Sequence, residues 1–374
     1  MSDAMNRFAL SLTAVANPAP GWYEGDFHCH THHSDGALTA PDLLALARSE
    51  GLDFFAITDH NTLDAYPHFG SLDGVCVIPG LEVTFDRGHY NVFGLIQDGD
   101  WLAPVAQGPT QLEWAKSGLD PNELLAASAA QGLLNSINHP LLAPWAWLFG
   151  DTDLAHLHCL EIWNDPSWPD NRVANPQALE LWTRWLNAGY RITAIGGSDF
   201  HRPVNKPAAK PGPVKPPDRL GLPRTVVYAE ELSGAAILAG LRRRQVYVSM
   251  GAHVRFQARA GGQVYPIGAD LGAQAGPVEL EGQVAPVGRS GVARLLQDGV
   301  IVAETLLRGD PVTLRHTAEL SPETHTWFRL DVLDGNGLIL AVTNPIFAGP
   351  ARPPASRRYG DFVDVTAGKQ PALR

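Results

Sequence analysis

Residues 23–36 read Tyr23-Glu24-Gly25-Asp26-Phe27-His28-Cys29-His30-Thr31-His32-His33-Ser34-Asp35-Gly36. Phe27 to His30 have the character of a strand end. Strand side chains alternate faces, so His28 and His30 project together while Phe27 and Cys29 point the other way. Asp35 arrives from the loop just beyond. Two imidazoles at i and i+2 beside a carboxylate make a nitrogen-and-oxygen ligand set that Zn²⁺, Mn²⁺ or Fe²⁺ accepts. A lone His-x-His is weak evidence, because strand histidines are more often surface or satisfied core residues. The rest of the chain strengthens it: eleven of the 14 histidines precede residue 202, and several recur where an apolar strand ends in a turn.

A chain of 374 residues exceeds the usual single domain and suggests one barrel-sized unit plus a smaller one. With Lys+Arg 28 against Asp+Glu 39 and a net charge of −11, it lacks the basicity of a non-specific nucleic-acid binder. Cys29, Cys76 and Cys159 are scattered and odd in number, which argues against a disulfide framework or a Cys-rich zinc knuckle. No run approaches the ~18 apolar residues of a membrane span, so no membrane partner is expected. Arg7 and the mild run Phe8 to Val15 crudely imitate a secretion signal, but Ser11 and Thr13 interrupt it and Asp3 precedes it. Phe8, Leu10, Leu12 and Ala14 alternate as in a half-buried strand, and a cytoplasmic location is the expectation.

Further along, Thr39 stands where a helix N-cap belongs, with Pro41 and Asp42 in the first turn and Gly51 as the stop. Asp53 to Thr58 is a short apolar strand ending in Asp59-His60-Asn61. Val75 to Ile78 and Leu81 to Phe85 read as strand pieces interrupted by Pro79-Gly80, with Glu82 just after the break. Gly88 to Leu95 is a strand with His89 and Asn91 on one face. A helix over Pro121 to Gln131 precedes the strand Leu133 to Asn138 and His139-Pro140. The strand Leu157 to Trp163, the helix Asn175 to Ala188 and the strand Tyr190 to Ile195 lead to Asp199-Phe200-His201. Alternating strands and helices describe a βα barrel whose site gathers at the strands' C-terminal ends, where His28, His30, His60, Glu82, His139, Asp199 and His201 fall.

Residues 202–224 hold seven prolines and three of the five lysines (Lys206, Lys210, Lys215), with Arg202, Arg219 and Arg224. Two readings stay open: a lid for an anionic substrate, or a solvated insertion. A helix from Leu232 to Gln245 and a strand from Val246 to Ser249 close the unit 21–250. Residues 251–374 show short β runs with Asp298-Gly299 and Asp334-Gly335 turns, which reads as a small β-sandwich. The N-terminal strand in residues 1–20 is expected to pair into it.

His28-Cys29-His30-Thr31 with Ser34-Asp35-Gly36, then Thr58-Asp59-His60-Asn61, Pro79-Gly80-Leu81-Glu82, Asn138-His139-Pro140 and Ser198-Asp199-Phe200-His201 resemble, in order, the motifs of the PHP (polymerase and histidinol phosphatase) superfamily, over roughly residues 22–250. Gly21-Trp22-Tyr23-Glu24-Gly25-Asp26, Gly88-His89-Tyr90-Asn91, Glu161-Ile162-Trp163-Asn164 and the β-rich tail look most like the metallohydrolase branch that includes carbaryl hydrolase. The resemblance implies an α/β fold, a distorted (β/α)₇ TIM-like barrel with a smaller C-terminal β-sandwich-like domain, and two or three divalent metal ions (Mn²⁺, Zn²⁺ or Fe²⁺). By that analogy the first metal takes His28, His30, Glu82 and Asp199. The second shares Glu82 and adds His139 and His89, with Asn91 as the competing residue. The third takes Asp35, His60 and His201.

Independently of the family, His, Asp and Glu ligands leave open positions for water, and a hydroxide bridging two cations is a nucleophile at neutral pH. Cations also neutralise phosphoryl oxygens, so a small anionic phosphate ester is the substrate best suited to the set. Asp35, His60 and His201 are the candidate catalytic groups assisting the leaving group, and His33, Arg202, Asn164 and Trp163 the candidate substrate-binding residues. Asp59 is expected to orient His60 or cap the next element. Trp145, Trp147 and Trp168, in loops after strand ends, are candidates for an aromatic cleft; Trp182 and Trp185 stand at helical spacing and read as packing. The competing readings are a carbamate, ester or amide hydrolase using the same site, and a non-enzymatic metal-stabilised module. A homo-oligomer is left open.

Overall fold

The computed structural model of the chain describes residues 9–106, 118–203, 219–351, 358–366 and 370–374. Lys206, Lys210 and Lys215 of the expected lid lie outside them. The first part of the chain runs β1 (Gly21–Asp26), α1 (Ala40–Ser49), β2 (Phe54–Ile57), β3 (Cys76–Phe85), β4 (Gly88–Phe93), α2 (Pro121–Ala130), β5 (Leu134–Ile137), β6 (Cys159–Asn164), α3 (Asn171–Asn187), β7 (Thr193–Gly197), β8 (Arg224–Ala229), α4 (Gly234–Arg242) and β9 (Val246–Ser249). Its strands lie in the order β9-β8-β1-β2-β3-β4-β5-β6-β7.

β1, β2 and β3 are parallel, as are β5, β6 and β7, but β4 runs antiparallel to both neighbours. The cause is local: only Asp86 and Arg87 separate β3 from β4, and so short a link returns the chain beside the strand it left. Regular strand–helix alternation is therefore not what the described residues adopt. Helices follow β1, β4, β6 and β8, whereas single 3₁₀ turns (Tyr66–His68, Leu154–His156) serve after β2 and β5. The sheet curls until the chain beyond β7 meets the chain beyond β1: the Phe200 amide donates to His28 O (3.3 Å) and the His30 amide to Phe200 O (2.9 Å).

Several local expectations change. β1 stops at Asp26, so His28 and His30 sit just past the strand. Their alternation survives because the bridge with Phe200 keeps the backbone extended, and Phe27 and Cys29 are fully buried on the opposite side. Pro79-Gly80 does not interrupt a strand; β3 runs through it. The Pro79 carbonyl accepts from Gly94 (2.8 Å) and Leu95 (3.1 Å), and a Cβ at Gly80 would lie 2.9 Å from Val92 O and 3.0 Å from Ile57 O. Glycine lets the two flanking strands close there. β7 begins at Thr193 rather than Tyr190, and α3 begins at Asn171 with Pro176 inside it. The Thr39 hydroxyl caps α1 as read, accepting from the Asp42 amide (3.2 Å).

The remaining strands are β10 (Val254–Ala260), β11 (Gln263–Pro266), β12 (Gly276–Val284), β13 (Gly291–Gln297), β14 (Val300–Leu307), β15 (Val312–Leu320), β16 (Thr326–Asp334), β17 (Ile339–Thr343), β18 (Ile346–Ala348) and the short pair β19 (Val363–Asp364) and β20 (Ala372–Leu373). β11-β10-β12-β15 form a separate sheet, while β14-β13-β16-β17 extend the main sheet because β17 pairs antiparallel with β9. In β12, Val278, Leu280 and Val284 are buried and their neighbours face outward, the period of a one-sided strand. They share a core with Phe256, Leu295, Phe328 and Leu330.

The N-terminal segment is a correction. Residues 9–20 form no strand and do not join the second sheet; apart from the Asn17–Leu232 bridge they are irregular. Leu12 O accepts from Ala235 at the start of α4, and Leu10 is buried in the first core. The alternating pattern arises from a segment laid over α4, with leucines inward and Ser11 and Thr13 outward. Among the described residues no helix is long and apolar enough to cross a membrane.

His158 Nδ1 accepts from the Asn135 amide (3.1 Å) beside β5, and burial, then Arg242 and His156, lower its pKa to about 4. A depressed histidine is neutral in the folded chain while the unfolded chain takes up a proton, so stability falls as pH drops from about 6.5 towards 4. Equilibrium denaturation of His158→Asn should show a flatter pH dependence across that window. An unchanged slope would remove His158 from the account.

Candidate metal centre

Most candidate ligands lie in the segments that follow strands, with Glu82 within β3 and His89 near the start of β4, and five of them gather on Glu82. Its carboxylate, fully buried, is reached by five imidazoles: His60 Nδ1 at 2.8 Å, His89 Nδ1 at 3.2 Å, His28 Nε2 at 3.3 Å, His30 Nε2 at 3.5 Å and His139 Nε2 at 3.6 Å. Asn138 also donates to it through Nδ2 (2.7 Å). Asp199 Oδ1 stands 3.2 Å from His30 Nε2 and 3.4 Å from His28 Nε2. A third set lies nearer solvent, with Asp35 Oδ1 3.2 Å from His201 Nε2 and 3.6 Å from His60 Nε2.

Two further sequence questions are answered here. His89 rather than Asn91 faces Glu82; the Asn91 amide group instead donates to Phe27 O (3.2 Å). Asp59 does not orient His60. It accepts from the Thr31 amide and hydroxyl and from the Ser34 hydroxyl at 2.6–2.7 Å, fixing the loop that presents Asp35.

Three of the imidazoles have one ring nitrogen held by a neighbouring oxygen. His28 Nδ1 lies 3.0 Å from Glu161 Oε1, His201 Nδ1 donates to Asp199 O (2.6 Å), and His60 Nδ1 is 2.6 Å from Thr84 Oγ1. Fixing one ring nitrogen aims the lone pair of the other inward, as second-shell acceptors do for metal-bound histidines. Glu161 also accepts the His139 amide (2.7 Å) and Asn164 Nδ2 (3.1 Å) on its second oxygen. Asp26 accepts from the amides of His28 and Ser198 (both 3.0 Å) and Gly221 (2.8 Å). The motif around Glu161 was visible in the sequence, but not that one carboxylate supports ligands 111 residues apart.

Burial and mutual charge polarise the set. Burial raises the pKa of Glu82, but His60, His28 and His89 outweigh it and hold the carboxyl well below its usual range. Burial lowers His60, yet Glu82 and Asp35 lift it to about 9. His30 is lowered to about 3 by burial, His201 and His60, and His89 to about 4 chiefly by burial. His139 (φ 29°) and Asp199 (φ 50°) both occupy left-handed backbone, a strain of about 1–3 kcal/mol each that the surrounding contacts sustain.

The geometry suits divalent cations. Donor atoms of His30, Asp35, His60 and His201 lie within 4.8 Å of one another, as do those of His28, His30 and Glu82, of His60, Glu82 and His89, and of His28, His139 and Asp199. His28 Nε2 is buried and makes no hydrogen bond even though two carboxylate oxygens stand within 3.4 Å. Such atoms point at a shared centre rather than at each other.

Residues 26–139 match the PHP domain family. The PHP match ends on His139, and Glu161, Asp199 and His201 join the site through β6, β7 and the bridge at Phe200. Over 87 residues the chain is 38% identical to a "probable phosphatase" of Shewanella sediminis, covering 19% of this chain and 35% of that relative. The chain thus matches about a third of the relative's length. Among solved structures it resembles a two-domain protein of Bacteroides vulgatus containing a predicted PHP-like metal-dependent phosphoesterase (16% identity, 90% and 98% of the two chains, TM-score 0.47). It also resembles a lesion-specific endonuclease of Pyrococcus furiosus (18%, 59% and 56%, TM-score 0.41).

The expected substrate-binding residues are placed less uniformly than the candidate metal ligands. Asn164 is buried, and its side chain is held by Glu161 and by Asn171 Nδ2 (3.0 Å), so it braces the site instead of lining a cleft. Trp163 is a core residue. Trp147 is fully buried with its indole N–H on Thr152 Oγ1 (2.9 Å), which corrects its assignment to a cleft. Trp145 and Trp168 are half-buried and meet edge to face at 5.4 Å. His33 is half-buried and packs against His32 and, stacked, His68. Arg202 is half-buried beyond His201. Arg219 and Arg224, from the basic loop, are paired with Glu50 and Glu24.

Gly197 shows how tightly this is built: a Cβ there would lie 2.4 Å from His28 Cβ and 2.8 Å from Glu161 Oε1. Gly197→Ala should cost about 1–3 kcal/mol in denaturant unfolding and lower the metal content of the purified chain. Native stability together with full metal loading would contradict the packing.

Proposed function

We propose that the chain is a metal-dependent phosphoesterase acting on a small phosphate ester. The observation that carries this is the single buried carboxylate of Glu82 reached by five imidazoles, with the Asp35, His60 and His201 set beside it. His28, His30, Glu82 and Asp199 would hold one cation; Glu82, His89 and His139 a second; Asp35, His60 and His201 a third. Bound cations would supply a hydroxide nucleophile at neutral pH and neutralise phosphoryl oxygens. The run β1–β7 is read as a distorted (β/α)₇ barrel, and residues 251–374 as an accessory β region.

Asp35, His201 and Asp199 are the more exposed members, with side chains 24%, 17% and 15% accessible against 0–7% for Glu82, His28, His30, His60, His89 and His139. That set forms the mouth of the site, where a leaving group departs. Since His201 Nδ1 is engaged by the Asp199 carbonyl, Nε2 would be the ligand when the third cation is bound, and the atom that holds or delivers a proton there when it is not. A carbamate or carboxylic ester hydrolase of the carbaryl hydrolase type is the second reading, favoured by the Trp145–Trp168 pair six and four residues beyond His139 and Asn164.

Metal per chain on protein purified without chelator, with hydrolysis of p-nitrophenyl phosphate and 1-naphthyl acetate, separates the readings. Two or more metals and phosphatase activity lost in His28→Ala are expected. Cleavage of the carboxylic ester alone would transfer the assignment to the second reading, and a chain that binds no metal would end both.

A further inference from the structure

At the start of β7, the end opposite to Asp199, two arginines converge on one phenylalanine. Arg191, in the link between α3 and β7, places its guanidinium carbon 4.8 Å from the centre of the Phe347 ring in β18, and Arg244, in the turn between α4 and β9, places its own at 5.6 Å. Arg244 adopts φ 58°, and a Cβ at Gly268 would meet its carbonyl at 2.4 Å, so the turn is locked against the chain that precedes β12. The His325 ring lies 6.2 Å from that of Phe347, and its pKa is lowered by burial and then by Arg191.

Asp270 is the one carboxylate paired with these cations among the described residues, accepting from Arg191 Nη1 at 2.5 Å. Arg191 Nε and Nη2 and Arg244 Nε are buried and have no hydrogen-bond partner. Burying such donors unpaired is unfavourable, more so on a charged group. Nε and Nη2 form the edge of a guanidinium that takes a carboxylate or phosphate through two parallel hydrogen bonds. Those donor atoms are themselves covered, but the side chains that frame them are not sealed, with Arg191 20% and Asp270 39% accessible, so an incoming anion would meet the edge after a small side-chain displacement.

We infer that this cluster is a binding site for a small oxyanion, a phosphate or carboxylate group, received on Arg191 Nε and Nη2 and Arg244 Nε over the Phe347 ring. It lies where the chain around β7 and β9 meets the strands of the C-terminal half, so an occupant would bridge Arg191 and Arg244 beside β18, sharing Arg191 with Asp270. The inference is independent of which ester the metal centre cleaves.

The test titrates inorganic phosphate, and separately acetate, into the full chain in chelator while following the His325 ring signal by NMR, assigned with His325→Gln. A saturable shift with Kd at or below about 1 mM is expected with at least one anion, and the better one identifies the group. Arg191→Gln and Arg244→Gln should each weaken it tenfold or more, whereas His28→Ala should leave it unchanged. Should Arg191→Gln unfold for want of its pair with Asp270, Arg244→Gln decides alone. No movement of His325 with either anion, or a shift that persists in Arg244→Gln, would mean that the donors are merely hydrated and would overturn the assignment.

Discussion

A Glu82→Gln chain is expected to turn over at least about 10³-fold more slowly than the native protein and to retain fewer metal ions. Glutamine preserves volume but offers one neutral acceptor where the native residue gives two anionic oxygens to five imidazoles. The same carboxylate is the leading cause of the raised His60 pKa of about 9 once burial is overcome. A raised histidine contributes stability fully below its unfolded pKa and loses it as pH rises through the folded value. Chelator-treated native protein should therefore lose stability between about pH 6.5 and 9, and Glu82→Gln should lack that slope. Removing the buried anion should also cost about 3–5 kcal/mol in chelator below that window. Metal mass spectrometry, kcat and denaturation at three pH values check this together; native turnover in the variant would exclude Glu82 as the hub.

Glu161→Gln should weaken metal binding about 10- to 100-fold while leaving turnover recoverable at saturating metal. Glu161 receives donors on both oxygens, His28 Nδ1 on one and the His139 amide and Asn164 Nδ2 on the other. An amide must turn its NH₂ group towards one of those donors, so even the isosteric change breaks the brace. Metal titration with kinetics separates this from loss of a ligand: His28→Ala should stay slow at any metal concentration, and Glu161→Gln should recover. If the glutamine variant bound metal as tightly as the native chain, Glu161 would be a packing residue only.

The ligand motifs were legible because metal chemistry constrains residue type locally. His28 and His30 need only alternation, and His60 and His139 need only the end of an apolar strand. Glu161 as a brace was not legible, since nothing near residue 161 records that it will lie beside residues 28 and 139. β3 was misread as broken because Pro79 and Gly80 are ordinarily breakers, whereas here glycine serves the close approach of two neighbouring strands. Leu10 and Leu12 gave a strand-like alternation that a segment lying on a helix produces equally well. Trp147 looked like a loop residue because its burial comes from β4, where Gly88 packs directly on it.

The junction where Phe200 meets His28 and His30 also orders events in time. His30 and Asp199 are 169 residues apart. At ribosomal speeds of about 5–20 residues per second, the first histidines leave the tunnel about ten to thirty seconds before the segment that completes their shell. During that interval His28 and His30 lack Asp199, and a cation meeting them alone would be selected by intrinsic affinity, which favours copper and zinc over manganese and iron. The full donor set could discriminate between cations only after residue 199 has joined it.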